Sequence, residues 1–275
     1  MPWNVKKKDC NPPKCYLDTE ADVVSWILDP LNQNDRSAFV RQTENRHGHK
    51  SLDASIMELA DDICYSVHDL EDAINLNLIT RENFFDALAA IRGSKAWDTL
   101  SQKIDEAMQR EDISIRNRES INKIVINLFH ADDSVRKEKI GNLIHIFISH
   151  CRLQQKTSFV SPILRFNALL PEPFCDFLKL LNEIISKIVI NSPTVQQLEF
   201  KGQRIIIELF EVIATDPERF LPVDKAKAYQ DVESQKKGSG MRTICDYIAG
   251  MTDEFASKLY ERMFCPHYGS VFDRL

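Results

Sequence analysis

Glycine is scarce in this chain, and the scarcity limits the folds available to it more than any other feature of the composition. There are 8 glycines among 275 residues, which is about 3% where soluble proteins have about 7%. Sandwiches, propellers and doubly wound α/β folds need many tight turns, and tight turns use glycine. The composition therefore favours helices joined by polar connections, in a chain long enough to bury one large core or two smaller ones.

Apolar residues recur at helical spacing along most of the sequence. The strongest stripe steps by three and four and consists of Ile56, Leu59, Ala60, Ile63, Val67, Leu70 and Ile74. Further helical patterns span residues 19–29, 80–91, 96–109, 114–129, 135–152, 175–190, 194–214 and 241–264. We therefore predict an all-α fold, a bundle of eight or nine helices in which residues 175–190 and 194–214 form the core. Segments 154–173 and 231–240 are predicted as interruptions because they are rich in Pro or in Gly, Ser and Lys.

Charge and hydropathy exclude several classes of protein. The formal net charge of −6 provides no general positive field for nucleic acid, although Lys6 to Lys8 and Lys236-Lys237 are local basic spots. No apolar run approaches the ~18 residues that a membrane span needs, so we expect a soluble cytoplasmic protein with no membrane partner. The seven cysteines are scattered and odd in number, which favours buried, reduced thiols over disulfides or a zinc site.

One face of the strongest helix carries acids and a phenol. Asp61, Tyr65 and Asp69 follow one another at i, i+4 and i+8 and therefore form a row, with Glu58 and Asp72 beside it. No Lys or Arg lies four residues away to compensate the charge. Such a row is typical of a site for a cation or for a ligand rich in hydroxyl groups, and a solvated helix face is the alternative.

Three blocks of the sequence form an ordered series. They are residues 57–73, MELADDICYSVHDLEDA, residues 198–204, LEFKGQR, and residues 245–253, CDYIAGMTD. In this order they resemble the ADD helix, the LE-x-x-G-x-R segment and the DYI-[SA]-GMTD helix of the dGTP triphosphohydrolases, a branch of the HD-domain metal phosphohydrolases. The resemblance implies an HD-domain-like bundle, of which this chain corresponds to the C-terminal portion. It also implies hydrolysis of a deoxynucleoside triphosphate, with dGTP favoured, to the deoxynucleoside and tripolyphosphate.

The resemblance further implies roles for individual residues. Asp61 matches the last of four ligands of a divalent metal, Mg²⁺ or Mn²⁺. Tyr65 matches a position near the phosphates, Asp69 a position at the sugar 3′-hydroxyl, and Asp62 lies beside the same site. Glu199 matches a position near the guanine base, where a carboxylate accepts hydrogen bonds from ring N–H and amino groups. A surface acid at the start of a helix is the alternative for Glu199.

The same resemblance implies that the site is incomplete within this sequence. In the family, a His, an adjacent His-Asp pair and the catalytic His and Glu lie upstream of the segment that resembles Pro2-Trp3. We interpret His130-Ala131-Asp132-Asp133 as a helix N-cap rather than a substitute for that pair. We therefore assign no catalytic residue, and we expect the metal to be unbound unless an upstream partner polypeptide or another copy in a homo-oligomer supplies the ligands.

Two regions and more than one function follow from these assignments. Residues 1–78 are predicted to be the C-terminal part of the HD-type catalytic core, and residues 79–275 a helical phosphohydrolase-associated region. The predicted function is metal-dependent hydrolysis of a deoxynucleoside triphosphate. The alternatives are a non-catalytic helical module that binds a partner or a nucleotide, and binding of single-stranded DNA or nucleotides through the basic spots.

Overall fold

Helices account for most of the structure. The computed structural model describes residues 16–40, 49–110 and 119–267. Their α-helices are α1 (Ala21–Leu28), α2 (Gln33–Val40), α3 (Leu52–Asn75), α4 (Arg81–Arg92), α5 (Ser94–Arg110), α6 (Ile121–Asn127), α7 (Asp133–Ser149), α8 (Pro162–Arg165), α9 (Glu172–Ile185), α10 (Pro193–Thr215), α11 (Pro217–Phe220), α12 (Val223–Gln235), α13 (Met241–Ala249) and α14 (Asp253–Phe264). A 3₁₀ turn (Asp18–Glu20), a π turn (Ser186–Ile190) and two strands, β1 (Arg152–Gln155) and β2 (Phe166–Leu169), complete the elements of these residues. The all-α prediction is confirmed.

The helices outnumber the eight or nine predicted because several are short or broken. Helices α2, α8, α11 and α12 were not predicted, and α12 continues to Gln235 within the segment interpreted as a loop. The predicted helix 241–264 is two helices, since Gly250 ends α13 and the Thr252 hydroxyl caps α14 by accepting from Phe255 N at 3.2 Å. Residues 114–118 of another predicted helix lie outside the described residues.

The chain divides into two compact units, residues 1–185 and 186–275. This division follows internal packing. The predicted boundary between residues 78 and 79 separates a catalytic core from an associated region, and it stays a prediction.

The first unit has its core around α9. Seven residues of α9 are buried, namely Phe174, Phe177, Leu178, Leu180, Leu181, Ile184 and Ile185. The ring of Phe177 lies 5.8 Å from the ring of Phe147 in α7 and 5.8 Å from that of Trp97 in α5. Because neighbouring helices contact it from several sides, α9 is a core helix as predicted.

A small antiparallel hairpin is fastened to α3. Strands β1 and β2 pair Arg152 with Leu169 and Gln155 with Phe166. The Ser55 hydroxyl accepts a hydrogen bond from Ala168 N at 2.9 Å and donates one to Leu52 O at 2.6 Å. The predicted interruption at 154–173 is therefore an ordered hairpin held against the helix that carries the acidic row.

The second unit has a separate core. Its buried residues come from α10 to α14 and are Ile205, Leu209, Ile213, Leu221, Ile244, Ile248 and Ala256. Ile206 and Ile207 of α10 are 44% and 39% exposed, so the prediction that this helix is covered on more than one face is wrong for these residues. In the described part of the chain, no helix combines the length and apolar character needed to cross a membrane.

Candidate functional site

Helix α3 presents one face to the core and the other to solvent. It begins after Ser51, whose hydroxyl accepts from Ala54 N at 3.2 Å, as a helix N-cap does. Ile63, Val67 and Leu70 are buried. Ile56 is 49% exposed, so the apolar stripe reaches the core only in its C-terminal part, contrary to the prediction.

The predicted acidic row lies on the open face. The carboxylate of Asp61 is exposed and Tyr65 is 51% exposed. The Tyr65 hydroxyl lies close enough to the half-buried Asp69 carboxylate, one helical turn away, to favour its ionised form. Burial, followed by the charge of Asp72, raises the pKa of Asp69 against the opposing effects of Tyr65 and His68. Tyr65 and Asp69 are thus brought together as a pair, in line with Asp61.

A groove runs beside the N-terminal half of this row. Its volume is about 710 Å³, and it is lined by Lys50, Ala54, Met57, Glu58, Ala60, Asp61 and Cys64. Lys50 forms an ion pair with Glu58. Lys50 lies just before the N-cap and is not at helical spacing from the acidic row, so the helical pattern of the sequence gives no sign of this cation.

Asp62 lies beside the row and has an electrostatic effect on Cys175 of α9. Its backbone carbonyl accepts a hydrogen bond from the Ser66 hydroxyl at 2.7 Å. Its charge contributes to raising the pKa of the Cys175 thiol on α9, for which burial is the main cause. The structure therefore places Asp62 beside the row, within electrostatic reach of α9.

The described cysteines are reduced but not buried as expected. All five are free; Cys64, Cys245 and Cys265 are exposed, while Cys151 and Cys175 are half-buried. The other two lie outside the described residues.

Glu199 belongs to the second unit and lies on α10. This helix is capped by Ser192, whose hydroxyl accepts from Val195 N at 3.4 Å. The half-buried Glu199 carboxylate accepts from the side-chain amides of Gln196 at 2.9 Å and Gln203 at 3.2 Å. These contacts fix its two oxygens on the helix surface, where a carboxylate remains able to accept further hydrogen bonds.

Two neighbours of Glu199 in the LE-x-x-G-x-R segment, Arg204 and Gly202, differ in their structural roles. Arg204 Nε donates to Glu208 Oε1 at 2.6 Å, and the Tyr260 hydroxyl donates to Glu208 Oε2 at 2.5 Å. Arg204 therefore forms an ion pair although its side chain is exposed. A Cβ atom on Gly202 would meet nothing within 4 Å, so this glycine does not mark a close approach between helices.

The described residues do not by themselves fit a metal ion. No group of three His, Cys, Asp or Glu side chains among them converges on one point. His68-Asp69 is a His-Asp dipeptide on α3, but the His68 Nδ1 atom lies 3.3 Å from Glu71 Oε2. Asp132 caps α7, as predicted, by accepting from Ser134 N at 2.8 Å. Asp61 alone supplies one carboxylate where a catalytic site needs several ligands.

Comparison with known proteins finds similar sequences along almost the whole chain. A model described as "Phosphohydrolase-associated domain" matches residues 169–262. The chain is 37% identical over 275 residues to a deoxyguanosinetriphosphate triphosphohydrolase-like protein of Shewanella loihica, covering 98% of this chain and 58% of that protein. It is 39% identical over 276 residues to the protein of the same name from Shewanella sediminis, again covering 98% and 58%. The chain thus spans a little over half the length of these relatives, and over that span it is homologous to proteins named deoxyguanosinetriphosphate triphosphohydrolase-like.

Proposed function

We propose that this chain provides the nucleotide-contacting part of a deoxynucleoside triphosphate triphosphohydrolase. The proximity of Tyr65 and Asp69, in line with Asp61 on the open face of α3, is the observation that carries the proposal. The names of the relatives support a deoxynucleotide as the substrate class, and dGTP is the substrate that we favour.

Each candidate residue has a separate role in the binding of the nucleotide. The Asp69 carboxylate accepts a hydrogen bond from the sugar 3′-hydroxyl, and the Tyr65 hydroxyl orients that carboxylate while lying near the phosphates. Asp62 borders the same site. Glu199, held by Gln196 and Gln203, accepts from the N–H groups of the base.

Asp61 is proposed as one ligand of a divalent metal, Mg²⁺ or Mn²⁺. A metal of this kind supplies a polarised phosphoryl group and an ionised water. The described residues do not complete its coordination, so we propose that the other ligands come from outside them, either from an upstream polypeptide or from another copy of the chain.

The decisive experiment measures tripolyphosphate release from dGTP by the complete protein that contains this sequence. Asp61→Asn is expected to lose both bound metal and turnover. Asp86→Asn, which changes an exposed carboxylate of α4, is the matched control and should keep both. Full metal content and full turnover in Asp61→Asn would overturn the proposal.

Substrate contacts are tested separately by the dependence of turnover on dGTP concentration. Asp69→Asn removes a charged acceptor, so kcat/KM is expected to fall about tenfold to a hundredfold. A protein that binds dGTP through Tyr65 and Asp69 but releases no tripolyphosphate would support the alternative of a nucleotide-binding module.

A further inference from the structure

The wall of the groove beside Asp61 contains a cation that the acidic row does not account for. Lys50 is the lysine among its lining residues. In the described structure its ammonium group is held by the carboxylate of Glu58, and both side chains are partly exposed, at 29% and 41%. An ammonium group held in this way at the edge of an open groove is available to an incoming anion.

A second lysine lies within electrostatic range of Lys50. Lys156 follows β1, and the hairpin that it belongs to is fastened to α3 through Ser55. Burial, and then the nearby charge of Lys50, lower the pKa of Lys156. No carboxylate of the described residues forms an ion pair with Lys156 in the way that Glu58 does with Lys50. Lys156 therefore adds to the positive potential around Lys50.

Such an arrangement suits a ligand with several negative charges. A triphosphate has enough charge to contact Lys50 while the potential from Lys156 attracts it, and charge-assisted hydrogen bonds between ammonium and phosphate are among the stronger polar contacts. An uncharged nucleoside has no negative charge with which to interact with these ammonium groups. The chemistry of the wall therefore selects for the phosphate end of a nucleotide.

We propose that Lys50 is a phosphate-binding residue that exchanges Glu58 for the triphosphate when the nucleotide enters the groove, and that Lys156 strengthens the positive potential around it. This inference deepens the proposed function and rests on it for the identity of the substrate. It assigns the phosphates to the end of the groove next to the N-terminus of α3.

The exchange of partners makes an unusual prediction, because the two members of one ion pair should have opposite effects. Lys50→Met removes the phosphate contact, so binding of inorganic tripolyphosphate is expected to weaken about tenfold to a hundredfold. Glu58→Gln removes the competing carboxylate, so the same affinity is expected to rise. A purely structural ion pair would give losses of the same sign in both variants.

The experiment is calorimetric titration of the full chain with inorganic tripolyphosphate, dGTP and deoxyguanosine at two salt concentrations. Lys103→Met, at an exposed lysine of α5, is the matched control, and circular dichroism verifies that each variant is folded. The proposal expects weaker binding of tripolyphosphate and dGTP, but unchanged binding of deoxyguanosine, in Lys50→Met. It expects a smaller loss and a weaker salt dependence in Lys156→Met, since that lysine acts at longer range.

Failure of this inference can be told apart from failure of the proposed function. Unchanged tripolyphosphate affinity in Lys50→Met, or a loss in Glu58→Gln, overturns the role of Lys50 even if Asp69→Asn still impairs dGTP turnover. Lysine-dependent binding of tripolyphosphate, together with turnover that does not depend on Asp61, overturns the proposed function and leaves the anion site in place.

Discussion

The carboxylate of Asp69 is subject to opposing influences from its own helix. Burial and the charge of Asp72 favour its protonated form, whereas the hydroxyl of Tyr65 and the nearby His68 favour the ionised form, and the pKa is raised on balance. The folded chain therefore keeps a proton at this position over a range of pH in which the unfolded chain has released it. Stability falls as the pH rises through this range, which begins near the ordinary value of 3.8.

Asp69→Asn should remove this dependence. At neutral pH the variant is expected to be more stable than the parent, because the neutral amide has no charge to desolvate and no repulsion from Asp72. Below the ordinary pKa the two proteins should have equal stability. Urea unfolding at both pH values measures the difference. A variant that is less stable at neutral pH would show that the ionised carboxylate of Asp69 stabilises the fold.

At the scale of elements, a buried carboxylate joins α2 to the loop before α8. Asp35 is 2% exposed and accepts from Val160 N at 3.1 Å and Ser161 N at 2.7 Å. Burial would raise the pKa of Asp35, but the hydrogen bonds from Ser161, Val160 and Asn32 outweigh it and lower the pKa. The folded structure therefore stabilises the ionised form of Asp35.

Asp35→Ala is expected to lower Tm more than Asn32→Ala, because it leaves two backbone N–H groups without their acceptor. A lowered pKa contributes stability above the unfolded value of 3.8, and this stability is lost as the pH falls through the folded pKa. The difference in Tm between parent and Asp35→Asn should therefore shrink in acid. Calorimetry across this range checks the trend, and a difference that does not change with pH would contradict it.

A largely buried ion pair joins α7 to the residue before the N-cap of α6. Lys139 Nζ lies 2.8 Å from Glu119 Oε2, with side-chain exposures of 11% and 10%. Lys139→Met leaves this carboxylate with Lys123 as its partner and should destabilise the chain by about 2 kcal/mol. The double variant Glu119→Leu with Lys139→Met removes both charges and should recover part of that loss. Chemical denaturation of the three proteins gives the coupling energy, and strictly additive losses would argue against the pair.

The burial of apolar residues was predicted correctly where the helical spacing alone determines the buried face. It was predicted incorrectly where burial requires a segment that is distant in the sequence. The periodicity of α9 and the C-terminal part of α3 was sufficient, because their apolar residues are buried as the spacing required. Ile56 and Ile206 have the same periodicity but are exposed, since no described element covers them. The role of Lys50 could not be predicted, because its ion pair with Glu58 depends on the path of the chain before α3 and not on helical spacing.

At the scale of the whole molecule, the division into two units was not visible in the sequence. The apolar pattern at residues 175–190 continues through the boundary between residues 185 and 186, where α9 gives way to a π turn. The segment that did look like a break, residues 154–173, lies inside the first unit because Ser55 and Asp35 hold it. The acidic row could be predicted from its helical spacing. The groove beside Asp61 could not, because it also includes Lys50, which lies outside the helix.

Separate cores should unfold separately. Leu209 is fully buried in the second unit, so Leu209→Ala is expected to destabilise that unit by about 3 kcal/mol. Leu181→Ala should have a comparable effect on the first unit. Native-state hydrogen exchange followed by mass spectrometry measures protection in each unit. Equal loss of protection throughout the chain in either variant would show that the two units unfold as one.

The hydroxyl of Ser55 gives the hairpin and α3 a shared evolutionary constraint. It donates to one backbone group and accepts from another, 113 positions along the chain, within a residue that is almost completely buried. Only a short hydroxyl side chain does both in so little space, and alanine would leave an amide without an acceptor. Among homologous sequences, position 55 should therefore alternate between serine and threonine, and the hairpin should be inherited or lost together with it.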